Sequence, residues 1–251
     1  MKYSIKSITK SRAVIIVLWL VYASAYFGRT CYSAAIASIV GNGIYDKADI
    51  GIVGTAFFVC YGAGQIINGI LGDRVNPFLM VLCGVFSSGI CCISMAAADH
   101  LGVMAVLWGA NGVFQSMLWS PLLRIYSETI NEKLKKGAVL NIALSLPVGT
   151  VLSYLTCTFI IDRYTYKAVF ICGGTVILMM FAAAIICFSV IRKSIVKVRK
   201  TLPAEHLLNS GKQKTGLWTV VGLSGLMLIL VPSFLFEMHH PCRLALNTPH
   251  I

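Results

Sequence analysis

Tyr22, Tyr26, Arg29 and Ser33 follow one another at spacings of four, three and four, which puts them on one face of a helix. That helix is apolar, for residues 13–40 carry no charge except Arg29. A bilayer's hydrocarbon core takes about 20 residues of helix, so this run spans it with the arginine near the middle. An arginine at that depth costs about 2.5–3.5 kcal/mol on insertion scales. Snorkelling would relieve the cost only at a helix end, and Arg29 is far from the start of the run. The charge therefore calls for a polar cavity or a partner. The acidic residues offer none in an apolar run: Asp46, Asp49, Asp73, Asp99, Asp162 and Glu237 lie at or beyond span ends, and Glu128, Glu132 and Glu205 lie in loops. A guanidinium fork matches a phosphate or carboxylate bidentately, so the chemistry indicated is anion binding inside the membrane. Asn111, Gln115 and Trp119 share a face of a second apolar run, where two amides and an indole would line the same cavity or bond between helices.

The elements that must position these residues are long apolar helices. Hydrophobic residues make up 57% of the 251, charged residues only 12%, and mean hydropathy is +0.81, where a soluble domain carries about 25% charged residues. Seven stretches of spanning length follow one another, at 13–40, 48–71, 77–98, 101–123, 138–161, 168–190 and 216–236. A membrane barrel would show short alternating segments instead. The fold class expected is an all-α membrane protein, a six-helix bundle followed by a seventh helix. Its organisation would be a cytoplasmic N-terminus at 1–12, a six-span bundle at 13–190, a basic linker at 191–215, the seventh span at 216–236 and an irregular tail at 237–251. In the linker, Ile195, Val198 and Leu202 suit a helix on the membrane surface as well as they suit a solvated linker.

The formal charge of +12 is distributed by loop. Lys2, Lys6, Lys10 and Arg12 precede the first span, Arg74 follows the second, Lys133, Lys135 and Lys136 follow the fourth, and a basic run follows the sixth. The alternate loops hold only Lys47, then Asp99 with His100, then Arg163 and Lys167. Basic loops stay on the cytoplasmic side, so the N-terminus is expected inside a multi-pass protein of the cell membrane. The basicity is thus topology, and nucleic acid is not an expected partner. Eight of the nine cysteines stand inside apolar runs, where they act as small fillers. No CxxC occurs and the histidines lie in loops or the tail, so neither a metal nor another cofactor is expected.

Between the second and third spans the chain reads Gly69-Ile-Leu-Gly-Asp73-Arg74-Val-Asn76-Pro77. This resembles the Gly-x-x-x-Asp-Arg signature of the major facilitator superfamily, and Asp-Arg-x-Asn-Pro resembles its organophosphate:phosphate antiporter branch, which includes glycerol-phosphate and hexose-phosphate carriers. Gly69 would let two helices approach closely and Asp73 would cap the next helix or pair with a cation. Tyr22-x-x-x-Tyr26-x-x-Arg29 resembles the branch's first span, where the arginine binds the substrate's phosphate. Tyr61-Gly62-x-x-Gln65 resembles its second span, and Asn111 to Arg124 its fourth. The resemblance implies a six-helix N-terminal half with Arg29, Tyr22, Tyr26, Gln65, Asn111, Gln115 and Trp119 on the substrate. Gly69, Asp73, Arg74 and Arg124 would form a cytoplasmic gate. Three positions depart from the branch: Gln65 replaces a lysine, Leu146 stands where a histidine is common, and 217–236 lacks a second substrate arginine. One arginine fits a carboxylate or monoanion as well as a dianionic phosphate.

The function expected is secondary transport of a small organic anion (a sugar phosphate, glycerol phosphate or carboxylate) by antiport or symport with alternating access. The alternative is a membrane receptor for an external sugar phosphate. An enzyme is not expected, since no paired carboxylates or His/Asp set lies near a membrane face. Six helices of one half form only one wall of a cavity. The expected partners are therefore the lipid bilayer, the anion, and either a missing C-terminal half or a second copy of the chain. The sequence past Glu237 has no span pattern, which suggests truncation.

Overall fold

The computed structural model describes residues 3–4, 7–194 and 196–197. The seventh span at 216–236, most of the 191–215 linker and the 237–251 tail lie outside the described residues. Seven helices account for almost everything else: α1 (Ile8–Gly41), α2 (Lys47–Arg74), α3 (Pro77–Met95), α4 (Leu101–Ser116), α5 (Trp119–Thr129), α6 (Glu132–Arg163) and α7 (Tyr166–Ser194). Six spans result, since α4 and α5 together make one crossing from Leu101 to Thr129. The six-span all-α bundle expected from the apolar runs is what the chain forms.

The fourth span is broken rather than continuous, and its sequence explains why. Pro121 has no N–H to bond the carbonyl four residues earlier, at Met117. The chain tightens there instead, with Met117 N–H donating to the Phe114 carbonyl and Leu118 N–H to the Gln115 carbonyl, each at 3.2 Å. Such three-residue steps end one helix and start the next. The other boundaries are set by caps. Ser7 Oγ accepts from Lys10 N–H at 3.4 Å, and Asn131 Oδ1 accepts from Lys133 N–H at 3.1 Å. At α3 the cap is Asn76, whose Oδ1 accepts from Phe78 N–H at 3.0 Å, with Pro77 at the first helical position. Asp73, considered for capping this helix or pairing with a cation, stands inside α2, which runs on to Arg74.

α1 is the central helix, with 67% of its most apolar window buried, against 28% for α2 and 22% for α6. Close crossings fix its neighbours. A Cβ on Gly149 of α6 would meet the Ala23 carbonyl oxygen at 2.8 Å, and one on Gly112 of α4 would meet the Phe57 carbonyl oxygen of α2 at 2.5 Å. Among the described residues a Cβ on Gly69 would meet nothing within 4 Å, so the close approach expected there is not seen within this bundle. The α2 glycine that does approach a neighbour at this end is Gly72, where a Cβ would meet Ser120 Oγ at 3.1 Å.

Polar contacts mark two ends of the bundle. At one, Tyr45 Oη donates to the Asp99 carbonyl at 2.6 Å and Lys167 Nζ pairs with Asp99 Oδ1 at 2.7 Å. That hydrogen bond from Lys167 holds the Asp99 carboxyl below the usual carboxylate range. At the other end, Asn131 N–H donates to Ser11 Oγ at 3.4 Å, Tyr126 Oη donates to the Ile15 carbonyl at 3.1 Å, and β1 (Tyr3–Ser4) pairs antiparallel with β2 (Val196–Lys197). Ile195, Val198 and Leu202 lie outside the described residues, but the strand at Val196–Lys197 interrupts the surface helix considered for that segment. The eight described cysteines are free.

Candidate functional site: an arginine in an aromatic and amide cage

Arg29 leaves α1 toward α4 and α2. Its Nε donates to Gln115 Oε1 of α4. The guanidinium carbon lies 4.4 Å from the ring centre of Tyr61, 5.0 Å from that of Tyr26 and 6.0 Å from that of Phe57. Each ring face offers the cation a negative quadrupole where no carboxylate is available. Two rings come from α2, so Arg29 bridges three helices.

The α1 tyrosines pack as the helical spacing predicted. Tyr26 Oη donates to Tyr22 Oη at 3.1 Å, and their ring centres are 5.2 Å apart, edge to face. Tyr22 also lies 5.3 Å from the Trp119 ring, just past the α4–α5 break. That break lets Trp119 reach the same cluster as Gln115. Gln65 enters through Tyr61, donating from Nε2 to Tyr61 Oη at 2.7 Å. Asn111 enters through Gln115, whose Nε2 donates to Asn111 Oδ1 at 3.4 Å. The seven residues singled out in the sequence thus form one connected cluster. Ser33, the fourth member of the α1 face, is exposed instead.

Three cluster members were not singled out from the sequence. Tyr61 and Phe57 carry the closest α2 contacts to Arg29, and Tyr61 could have been found from its four-residue spacing to Gln65. Ser88 of α3 donates to Asn111 Oδ1 at 2.7 Å and accepts from Gln115 Nε2 at 3.2 Å. Nothing in its apolar surroundings distinguishes it from Ser87.

Among the described residues, three buried side-chain nitrogen or oxygen atoms lack a hydrogen-bond partner: Arg29 Nη2, Asn111 Nδ2 and Trp119 Nε1. All three belong to this cluster and all three are N–H donors. A buried unmet donor costs about 1–3 kcal/mol, so the cluster is built short of acceptors. Acceptor atoms, from water or from a ligand, would complete it.

The four residues expected at the gate behave differently from one another. Arg124 of α5 donates from Nη1 to the carbonyls of Gly72 at 2.6 Å and Val75 at 3.2 Å, while its Nε pairs with Glu128 at 2.9 Å. It thus caps the C-terminus of α2, where the unsatisfied carbonyls favour a cation. Arg74 is exposed, and the side chain of Asp73 lies outside what the structure describes. Gly69 is open to its surroundings.

Comparison with known proteins agrees with this architecture. The profile described as Major Facilitator Superfamily matches residues 18–242. The chain is 36% identical over 104 residues to the membrane sensor protein UhpC of Escherichia coli, a match covering 41% of this chain and 24% of that protein. It is 27% identical over 166 residues to a probable hexose phosphate transport protein of Chlamydia trachomatis, covering 65% of this chain and 36% of the relative. It is 33% identical over 104 residues to the glycerol-3-phosphate transporter of Haemophilus influenzae, covering 40% and 22%. These matches take in between about a fifth and a third of the relatives' lengths. The relatives fall in the hexose-phosphate and glycerol-phosphate branch that the Asp-Arg-x-Asn-Pro junction indicated. With six apolar spans and this match, the chain is a multi-pass membrane protein that belongs to the Major Facilitator Superfamily.

Proposed function

We propose that this chain forms one wall of a secondary transporter for a small organic anion, with Arg29 as the anchor of the anionic head. The observation that carries the reading is the set of unpartnered buried donors, Arg29 Nη2, Asn111 Nδ2 and Trp119 Nε1, all within the cluster connected to Arg29. An oxyanion supplies acceptors to all three and neutralises the arginine, so it offsets both desolvation costs together. The relatives named as hexose phosphate and glycerol-3-phosphate transporters support an organic phosphate. Gln65, neutral where the branch has lysine, leaves a carboxylate equally compatible. The opposite wall would come from a second six-helix unit, in the same polypeptide or in a second copy. The sparsely covered α2 and α6 are the helices such a unit would meet. Arg124, clamping the end of α2, would form part of the latch at the cytoplasmic face together with Gly69, Asp73 and Arg74.

Substitution of Arg29 in the transporter reconstituted in liposomes tests this. Arg29→Leu should insert normally, since leucine is far cheaper than arginine in lipid. It should lose anion uptake by at least about tenfold, the loss of one charged hydrogen bond. Arg29→Lys should recover only part, because a point charge lacks the fork. Normal abundance with unchanged affinity for glycerol 3-phosphate, inorganic phosphate and small carboxylates would refute the anchor.

One observation favours a second reading. The 36% identity to a membrane sensor supports a receptor that binds an anion without moving it. Binding with no uptake by the reconstituted protein would select that reading over transport.

A further inference from the structure

We infer that Ser88 of α3 is a positioning residue for Arg29, acting through Gln115. The chain of contacts runs across three helices. Ser88 Oγ accepts from Gln115 Nε2 at 3.2 Å and donates to Asn111 Oδ1 at 2.7 Å. Gln115 Oε1 in turn accepts from Arg29 Nε. Gln115 and Asn111 have no exposed surface and Ser88 is 1% exposed, so the links among these three are shielded from bulk solvent.

The direction of each bond follows from what each group can do. Arg29 has donors alone, so the group facing its Nε must be the amide oxygen of Gln115. This fixes the opposite Gln115 atom as the NH2, which needs an acceptor. Ser88 Oγ provides one at 3.2 Å, and Asn111 Oδ1 provides a longer one at 3.4 Å. The hydroxyl proton of Ser88 then goes to Asn111 Oδ1, which leaves Asn111 Nδ2 as one of the three unpartnered donors of the site. The hydroxyl thus sets which way both amides point. Without it, the Gln115 NH2 keeps only the longer contact to Asn111, and the amide is held less firmly against rotation. A rotated amide would present NH2 to Nε of Arg29, donor against donor, and swing the guanidinium away.

The chain also assigns a task to each nitrogen of Arg29. Nε is occupied by the protein and Nη2 is left for a ligand. The hydrogen bonds of Ser88 go to the two α4 amides and not to Arg29, so its role is to position the guanidinium through them.

The test reads the Arg29 Nε–H directly and does not depend on the anchor role proposed for that residue. In the full chain in lipid nanodiscs, the Arg29 Nε–H resonance is assigned by its disappearance in Arg29→Lys. Its exchange with solvent is then compared in Ser88→Ala, Ser88→Thr and the parent, with helicity checked by circular dichroism. Ser88→Ala should speed exchange about tenfold, the effect of losing one net hydrogen bond's support. Ser88→Thr keeps the hydroxyl and should restore slow exchange. Should Ser88→Ala misfold, Ser88→Cys, a near-isostere with a weak donor and acceptor, takes its place and should fall between the two. Exchange unchanged in a folded Ser88→Ala or Ser88→Cys, or equally fast in Ser88→Thr, would overturn the assignment. Where phosphate binding is measurable, Ser88→Ala should weaken it while Ser88→Thr does not. Phosphate binding lost in Arg29→Leu but kept in a fast-exchanging Ser88→Ala would sink the positioning role and leave the anchor standing.

Discussion

Trp119 separates packing from hydrogen bonding within the cluster. Its ring lies against Tyr22 while its Nε1 donor stays unpartnered. Trp119→Phe should therefore leave the thermal midpoint close to that of the parent, since a buried donor with no partner is removed and most of the ring remains. Anion affinity should fall about fivefold to tenfold if the indole N–H meets the ligand. Equal affinity in titrations of the two proteins would place Trp119 in packing alone. At this scale the sequence was legible wherever a polar type recurred at helical spacing, as at Tyr22, Tyr26 and Arg29. It was silent on Ser88, because one serine in an apolar helix reads the same whether it bonds its own backbone or a neighbour's amide. Ser33 shows the converse limit. Four residues turn a side chain back to nearly the same face, yet one helix turn carries it beyond the last packed neighbour.

Helix existence was legible from apolar length, whereas the break after Ser116 depended on a hydrogen-bonding detail around Pro121. Pro147 lies inside α6 without ending it, so proline alone does not decide a break. The glycines divide by what their helices meet. Gly112→Ala would drive a Cβ into the Phe57 carbonyl oxygen at 2.5 Å, a backbone atom that cannot rotate away. It should cost about 1–3 kcal/mol and lower the apparent midpoint in detergent. Gly137→Ala is the control, since a Cβ there meets nothing within 4 Å, and it should gain up to about 1 kcal/mol of helix preference. Similar shifts for both would mean that α2 and α4 do not cross closely at Gly112. The Asp99–Lys167 pair makes a pH prediction of definite sign. A carboxyl held below its usual pKa contributes above the unfolded value and loses the contribution as pH falls through the folded one. Acidification through and below the usual carboxylate range should therefore weaken this loop contact, and the dependence should vanish in Asp99→Asn. The exposure of Asp99 to solvent keeps the effect small.

The described bundle has two polar ends, and the distribution of lysine and arginine makes a prediction of which faces the cytoplasm. The end that gathers Ser11, Arg124 and Asn131 is also the end of Lys10, Arg12, Arg74, Lys133 and Lys135. The opposite end, where Tyr45, Asp99 and Lys167 meet, is poorer in cations and pairs one of them with a carboxylate. Basic loops are retained on the cytoplasmic side during insertion, and short loops such as these obey that bias most strictly. Six spans return the chain to the side from which it started, as the pairing of Tyr3–Ser4 with Val196–Lys197 requires of any orientation. The pairing thus fixes the parity, and the charges predict a cytoplasmic N-terminus. A reporter active only in the cytoplasm should be active when fused after Lys200 and inactive when fused at Asp46, between α1 and α2. A reporter active only outside should give the reverse. If both fusions report the same side, the span count fails; if the two exchange sides, the charge argument fails and the bundle stands inverted.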